Sequence, residues 1–335
     1  MASAALGTVL HPYSQVAERR PPTAPTVWGD WSLIMATAQL AASSVGIHNM
    51  LIATDFSRHS DAALKCGLAF ANIYGAQAEI VYVMPTEEFV LAGPEALHAA
   101  REAARRDLLE FKARLRRTGP PSEQADFHVS LLEGSVAESL LQCAREKKID
   151  LIVVGTHGRG GMGKVILGSV AEKVFRHSPV PVLTIGPHTQ GPGAISRTRQ
   201  ILAPCDLTPR SHPALDFACR LAAAHNSQLT LLHVIEQPYQ GVKLDPERVK
   251  QGIVEQLTEI VGRHSEGVDV RYRVEFGNIP AMILKAASET GSDLIVLGVR
   301  RSSGVLDRFT WPIAYELVRE AACPVLTVRG DAPQH

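Results

Sequence analysis

Short runs of apolar, often β-branched residues alternate with stretches whose apolar positions recur at helical spacing. In the first half the runs predict strands at about 47–53, 78–83, 127–132, 150–154 and 180–185. The runs are mostly continuous rather than alternating, so both faces of the sheet are expected to be covered by helices. Between them, Ser57 to Tyr74 sets Leu64, Leu68 and Ala71 on one helical face, and Pro94 to Arg117 sets Leu97, Leu108, Phe111 and Leu115 inward on a longer, charged helix. Strand and helix in alternation make β-α-β units, hence an α/β fold with a parallel sheet.

The chain also contains its own copy. Ile52-Ala-Thr-Asp-Phe-Ser recurs as Leu202-Ala-Pro-Cys-Asp-Leu-Thr, with Asp55 answering to Asp206, 151 places on. The same offset carries Val83 onto Val234. Further along, Asp150-Leu-Ile-Val-Val-Gly155 recurs as Asp293-Leu-Ile-Val-Leu-Gly298, and Pro181-Val-Leu-Thr-Ile as Pro324-Val-Leu-Thr-Val, both 143 places on. Two tandem α/β domains follow, over 46–187 and 198–330. The Gly/Pro/Ser-containing segment 188–197 joins them and 331–335 forms a tail. Residues 1–45 match neither copy and, with Arg20-Pro-Pro-Thr-Ala-Pro-Thr, read as a disordered arm with room for a short helix near 31–43.

Composition narrows the function. The 335 residues hold 34 Lys+Arg against 34 Asp+Glu and no basic run, which argues against nucleic acid as partner. From Trp31 to Thr54 there is no formal charge, but Thr37, Gln39, Ser43, Ser44, His48 and Asn49 dilute the stretch below what a membrane span needs. Cytoplasm is the expected compartment. Five cysteines, Cys66, Cys143, Cys205, Cys219 and Cys323, are scattered without metal-ligand spacing, so neither a disulfide framework nor a metal site is expected.

The main chemical signal is Gly155-Thr-His-Gly158-Arg-Gly-Gly-Met-Gly-Lys-Val-Ile-Leu-Gly168-Ser169, directly after the fourth predicted strand. Glycines let backbone N–H groups approach a phosphate closely. Gly168-Ser169 then opens a helix from Val170 to His177, whose free amides and dipole favour an anion. Gly158 to Lys164 imitates a P-loop, but Val165 stands where that motif places a magnesium-binding hydroxyl. At the ends of the first two strands, Asp55 is either a ligand for ribose or adenine or a helix cap, with Ser57 competing for the second role, and Val83 is placed to pack on a base. His157 lies in the loop with no acidic residue at a spacing that would orient it, so no catalytic residue is assigned.

These motifs resemble the universal stress protein family: A-T-D-F-S at 53–57, G-x2-G-x9-G-S at Gly155, Gly158, Gly168 and Ser169, and the continuation V-A-E-K-V-F-R-H-S-P-V-P-V-L-T-I. Family members often carry proline where this chain has Ala53. The resemblance implies two Rossmann-like domains of the adenine nucleotide alpha hydrolase type, each with strand order 3-2-1-4-5. It implies ATP as ligand, with magnesium left open, and assigns Thr54, Asp55 and Val83 to adenine and ribose. Gly155, Gly158, Arg159, Gly168, Ser169 and Val170 fall to the phosphates, with His157 counted in the same loop. It further implies dimerisation through fifth strands, here 182–185 and 325–328, which tandem copies can satisfy within one chain, while pairing between chains stays open.

The second copy departs from the pattern where phosphates would sit, because 143 places after Gly158, Gly168 and Ser169 stand Arg301, Trp311 and Pro312. Proline offers neither hydroxyl nor backbone donor. ATP is therefore expected in the first copy only, in a nucleotide-responsive stress-signalling module with at most slow hydrolysis. The alternatives are an adenylating enzyme and an interaction protein without ligand.

Overall fold

The computed structural model describes residues 45–89, 92–118, 126–156, 168–189, 198–236, 245–299 and 310–330. The expected arm at 1–45 therefore lies almost wholly outside the described residues, as do most of the joining segment and the tail.

The first half runs β1 (Asn49–Ala53), α1 (Arg58–Tyr74), β2 (Gln77–Met84), α2 (Pro94–Thr118), β3 (Phe127–Glu133), α3 (Val136–Glu146), β4 (Leu151–Gly155), α4 (Ser169–His177) and β5 (Val182–Ile185). The second repeats it as β6 (Gln200–Pro204), α5 (His212–His225), β7 (Gln228–Ile235), α6 (Pro246–Val261), β8 (Asp269–Phe276), α7 (Ile279–Thr290), β9 (Leu294–Val299), α8 (Thr310–Glu320) and β10 (Val325–Arg329). All the described strands join one ten-stranded sheet of order β3-β2-β1-β4-β5-β10-β9-β6-β7-β8. Each half has the order 3-2-1-4-5 internally and is parallel. The two meet at an antiparallel seam where Thr184, Leu183 and Val182 face Val325, Leu326 and Thr327.

The continuous apolar runs have their expected consequence. Along β1 and β4, Met50, Ile52, Leu151 and Val153 enter one core with α1, α2, α5 and α6, while Leu51, Ile152 and Val154 enter a second with α3, α4, α7 and α8. Both cores cross the seam.

Strand ends differ slightly from the sequence expectation, for reasons of hydrogen bonding. Asp150 is outside β4 because its Oδ2 accepts the N–H groups of His48 and Asn49, each at 2.8 Å. Asp293 does the same for Arg199 and Gln200 in the second half. Pro181 has no N–H to offer, so β5 begins at Val182.

Helices α1 and α5 end against each other. The equivalent residues Tyr74 and His225 meet there, with the Tyr74 hydroxyl hydrogen-bonded to the His225 Nε2 and the rings edge to face at 5.4 Å. Burial raises the Tyr74 phenol far above its ordinary range and lowers His225. Both directions favour the uncharged pair, a protonated phenol beside a neutral imidazole. A histidine depressed below 6.5 in the fold takes up a proton more readily when unfolded, so it subtracts stability as pH falls below 6.5 and nothing above it. Thermal unfolding midpoints should drop across that window, and His225→Gln, which keeps an acceptor without titrating, should flatten the drop. An unchanged pH profile in that variant would remove His225 from the effect.

Candidate functional site at the carboxyl edge of the sheet

In a 3-2-1-4-5 sheet the winding reverses between β1 and β4, and the crevice beyond their carboxyl ends is the place where such sheets take ligands. Both strands are parallel neighbours, with Ile52 opposite Val153. Thr54 and Asp55 leave the end of β1, Val83 lies near the end of β2, Gly155 ends β4, and Ser169 opens α4. One sheet edge therefore collects them.

The turn after β1 is held by its own side chains. The Thr54 N–H donates to the Val81 carbonyl at 3.0 Å. Thr54 is buried, and its hydroxyl accepts the Phe56 N–H and lies 3.1 Å from the Ser60 Oγ, which in turn donates to the Ser57 carbonyl. Asp55 Oδ1 accepts the Ser57 N–H at 3.0 Å, and Ser57 Oγ accepts the Ser60 N–H to cap α1. The cap role therefore goes to Ser57, and Asp55 shapes the turn through one oxygen. This turn forces Phe56 to φ 62°, a left-handed conformation unusual outside glycine. The Phe56 ring rests between Tyr82 and Phe111 at centroid distances of 4.6 and 4.8 Å. Sequence reasoning missed Ser60 and Phe56.

Val83 is 4% exposed and its side chain belongs to the core with Leu51 and Val81. What it turns toward the crevice is backbone. Peptide groups of alternate residues face the same way along a parallel strand, so the Val83 N–H and C=O follow those of Val81 toward β1, which has already turned away.

At β4, Thr156 donates to the Ile185 carbonyl at 3.2 Å and accepts the Gly168 N–H at 2.8 Å. That second bond ties the start of α4 back to the end of β4. A Cβ on Gly168 would lie 3.1 Å from the Thr156 carbonyl oxygen, so glycine suits this close approach. As N-cap, Gly168 supplies no side chain to the first amides of α4, whereas α1 and α7 are capped by Ser57 and Asn278. Ser169 is exposed and Val170 half-buried in the first turn. The predicted residues His157, Gly158 and Arg159 lie outside the described residues.

The universal stress protein family model matches residues 46–186 and again 197–329. The chain belongs to the universal stress protein family. A universal stress protein of Thermus aquaticus is 37% identical over 139 residues, 41% of this chain and 96% of that protein. One from Mycolicibacterium smegmatis is 24% identical over 292 residues, covering 84% of this chain and 97% of its own. In three dimensions, a universal stress protein from Archaeoglobus fulgidus DSM 4304 aligns with TM-score 0.66 at 21% identity, over 85% of this chain and 97% of that one, which shows a shared fold.

Within this universal stress protein the second half repeats the turn but not the helix start. Cys205 Sγ lies 3.3 Å from Ser211 Oγ and accepts the Leu207 N–H, Asp206 Oδ1 accepts the Thr208 N–H, and Leu207 adopts φ 61°. Thr54 and Ser60 thus reappear as Cys205 and Ser211, the pairing from which comparison of the copies can identify the turn. Helix α8, however, begins at Thr310 and carries the exposed Pro312 where α4 carries Ser169. All five cysteines of this family member are buried. Burial raises the Cys205 thiol and pushes Cys66 and Cys219 up to about 11, so these sulfurs stay protonated and pack as apolar groups. Among the described residues no group of three His, Cys, Asp or Glu is placed to hold a metal, and no helix is long and apolar enough to cross a membrane.

Proposed function

We propose that this universal stress protein binds ATP in its first half only and acts as a nucleotide-responsive stress-signalling module. The observation that carries the reading is the start of α4. A glycine-capped helix N-terminus with an exposed serine sits beside the end of β4, and its counterpart in the other half is proline. Free amides at a helix start, the positive end of its dipole and the Ser169 hydroxyl suit phosphate oxygens. In this reading Gly155, His157, Gly158, Arg159, Gly168, Ser169 and Val170 surround the phosphates. Thr54 and Asp55 form the wall for ribose and adenine, and the backbone of Val83 meets the base edge.

The test is calorimetric titration of the full chain with ATP, followed by recovery of the bound nucleotide. One site per chain and ATP recovered unchanged are expected. Two equal sites would refute the restriction to the first half, no binding would refute the nucleotide reading, and catalytic release of pyrophosphate would replace it with an adenylating enzyme.

A further inference from the structure

Helix α4 connects the proposed phosphate end to the seam. Its first turn carries Ser169. At its other end, Arg329, the last residue of β10, donates through Nη2 to the carbonyl oxygen of Arg176. Arg329 belongs to the second half. The last carbonyls of a helix lack intrahelical partners and form its negative end, so a guanidinium there satisfies an acceptor and opposes the charge. Nine residues are too few for a helix to persist without packing and caps.

The seam is not symmetric in this respect. The residue equivalent to Arg329 in the first half is Gly186, which has no side chain to extend. It approaches α8 by backbone alone, so closely that an added Cβ would lie 2.4 Å from the Val318 carbonyl oxygen. The half with the proline-altered helix start therefore reaches across with an arginine to brace the helix whose start is intact. The reverse reach is absent at this position.

We infer that Arg329 is a positioning residue for the first-half nucleotide site, holding the first-turn amides of α4 in place by anchoring its last turn. The inference rests on the reading of the α4 N-terminus as a phosphate site. It gives the second half a role in ligand affinity that its own altered site does not supply. Coupling of this kind is reciprocal, so ATP should in turn tighten the seam.

Three full-length variants test it by ATP titration together with thermal unfolding. Arg329→Met removes the donor and the charge. Arg329→Lys restores both on a different frame. Thr327→Val removes the 3.3 Å bond from the Thr327 hydroxyl to the Val182 carbonyl, perturbing the seam away from α4. Arg329→Met should bind ATP about 5-fold more weakly or worse, Arg329→Lys should recover part of the loss, and Thr327→Val should bind as the parent does. A parent chain that binds no ATP would sink the phosphate reading itself. A parent that binds, with Arg329→Met at equal affinity or with Thr327→Val weakened equally, overturns the inference alone. Should Arg329→Met fail to fold, hydrogen exchange on the parent decides: ATP must slow exchange of the amides at 174–178 and of the β5 and β10 ladder, and unchanged rates there overturn the inference.

Discussion

Ser169→Pro should lower ATP affinity by about 100-fold or more while leaving the fold intact. The change installs in the first half the residue that the second half already carries at Pro312. It deletes a hydroxyl and an amide, and a hydrogen bond to a charged group contributes about 1.5–3 kcal/mol. Two such losses exceed ~2.8 kcal/mol, which is about a hundredfold in affinity. Structure gives no reason for the helix to suffer. Proline is favoured at the first helical position, and Gly168 at φ −60° and ψ 147° already has the conformation a residue before proline prefers. Calorimetry and a thermal melt on the variant separate binding from stability. Undiminished affinity would exclude Ser169 from the site. The reverse change, Pro312→Ser, should not create a second site, since Trp311 and Arg301 still occupy the positions of Gly168 and Gly158.

Gly186→Ala should be the most damaging small substitution at the seam. The new Cβ would stand 2.4 Å from the Val318 carbonyl oxygen and 3.6 Å from its carbon, both backbone atoms of α8 in the other half. Backbone cannot swing aside as a side-chain tip can, so the halves must shift, at about 1–3 kcal/mol as for other overpacked contacts. Gly252→Ala is the matched control. It lies within α6 with nothing inside 4 Å of the added carbon, and there alanine should stabilise by about 0.5–1 kcal/mol through helix propensity. Thermal midpoints should therefore move in opposite directions for the same chemical change. A Gly186→Ala midpoint equal to the parent's would mean that the seam yields at no cost.

Much of the fold was legible because its determinants are local. Continuous apolar runs such as Leu151 to Val154 announce a sheet covered on both faces, and each of these residues is indeed assigned to one of two cores. The repeated Asp150 and Asp293 were visible as landmarks, although their work, fastening the base of β1 and β6, was not. Strand order came from family resemblance, since spacing alone does not choose among orders. The candidate site was legible where Gly168 and Ser169 open α4, since residue type and position predict that helix start. It was less so at Thr54, whose hydroxyl is spent on the turn with Ser60, and at Val83, whose side chain is core while its backbone faces the crevice. Arg329 and Gly186 were invisible in the sequence because each touches a helix that local periodicity cannot connect to it.

The antiparallel pairing of β5 with β10 has one more consequence. Both strands are on a single polypeptide, so their association is unimolecular and the tether keeps an effective concentration in roughly the millimolar range for a short connection. Dilution cannot dissolve such a junction, and its integrity is indifferent to how many copies a cell makes. A scarce protein would keep the same junction as an abundant one.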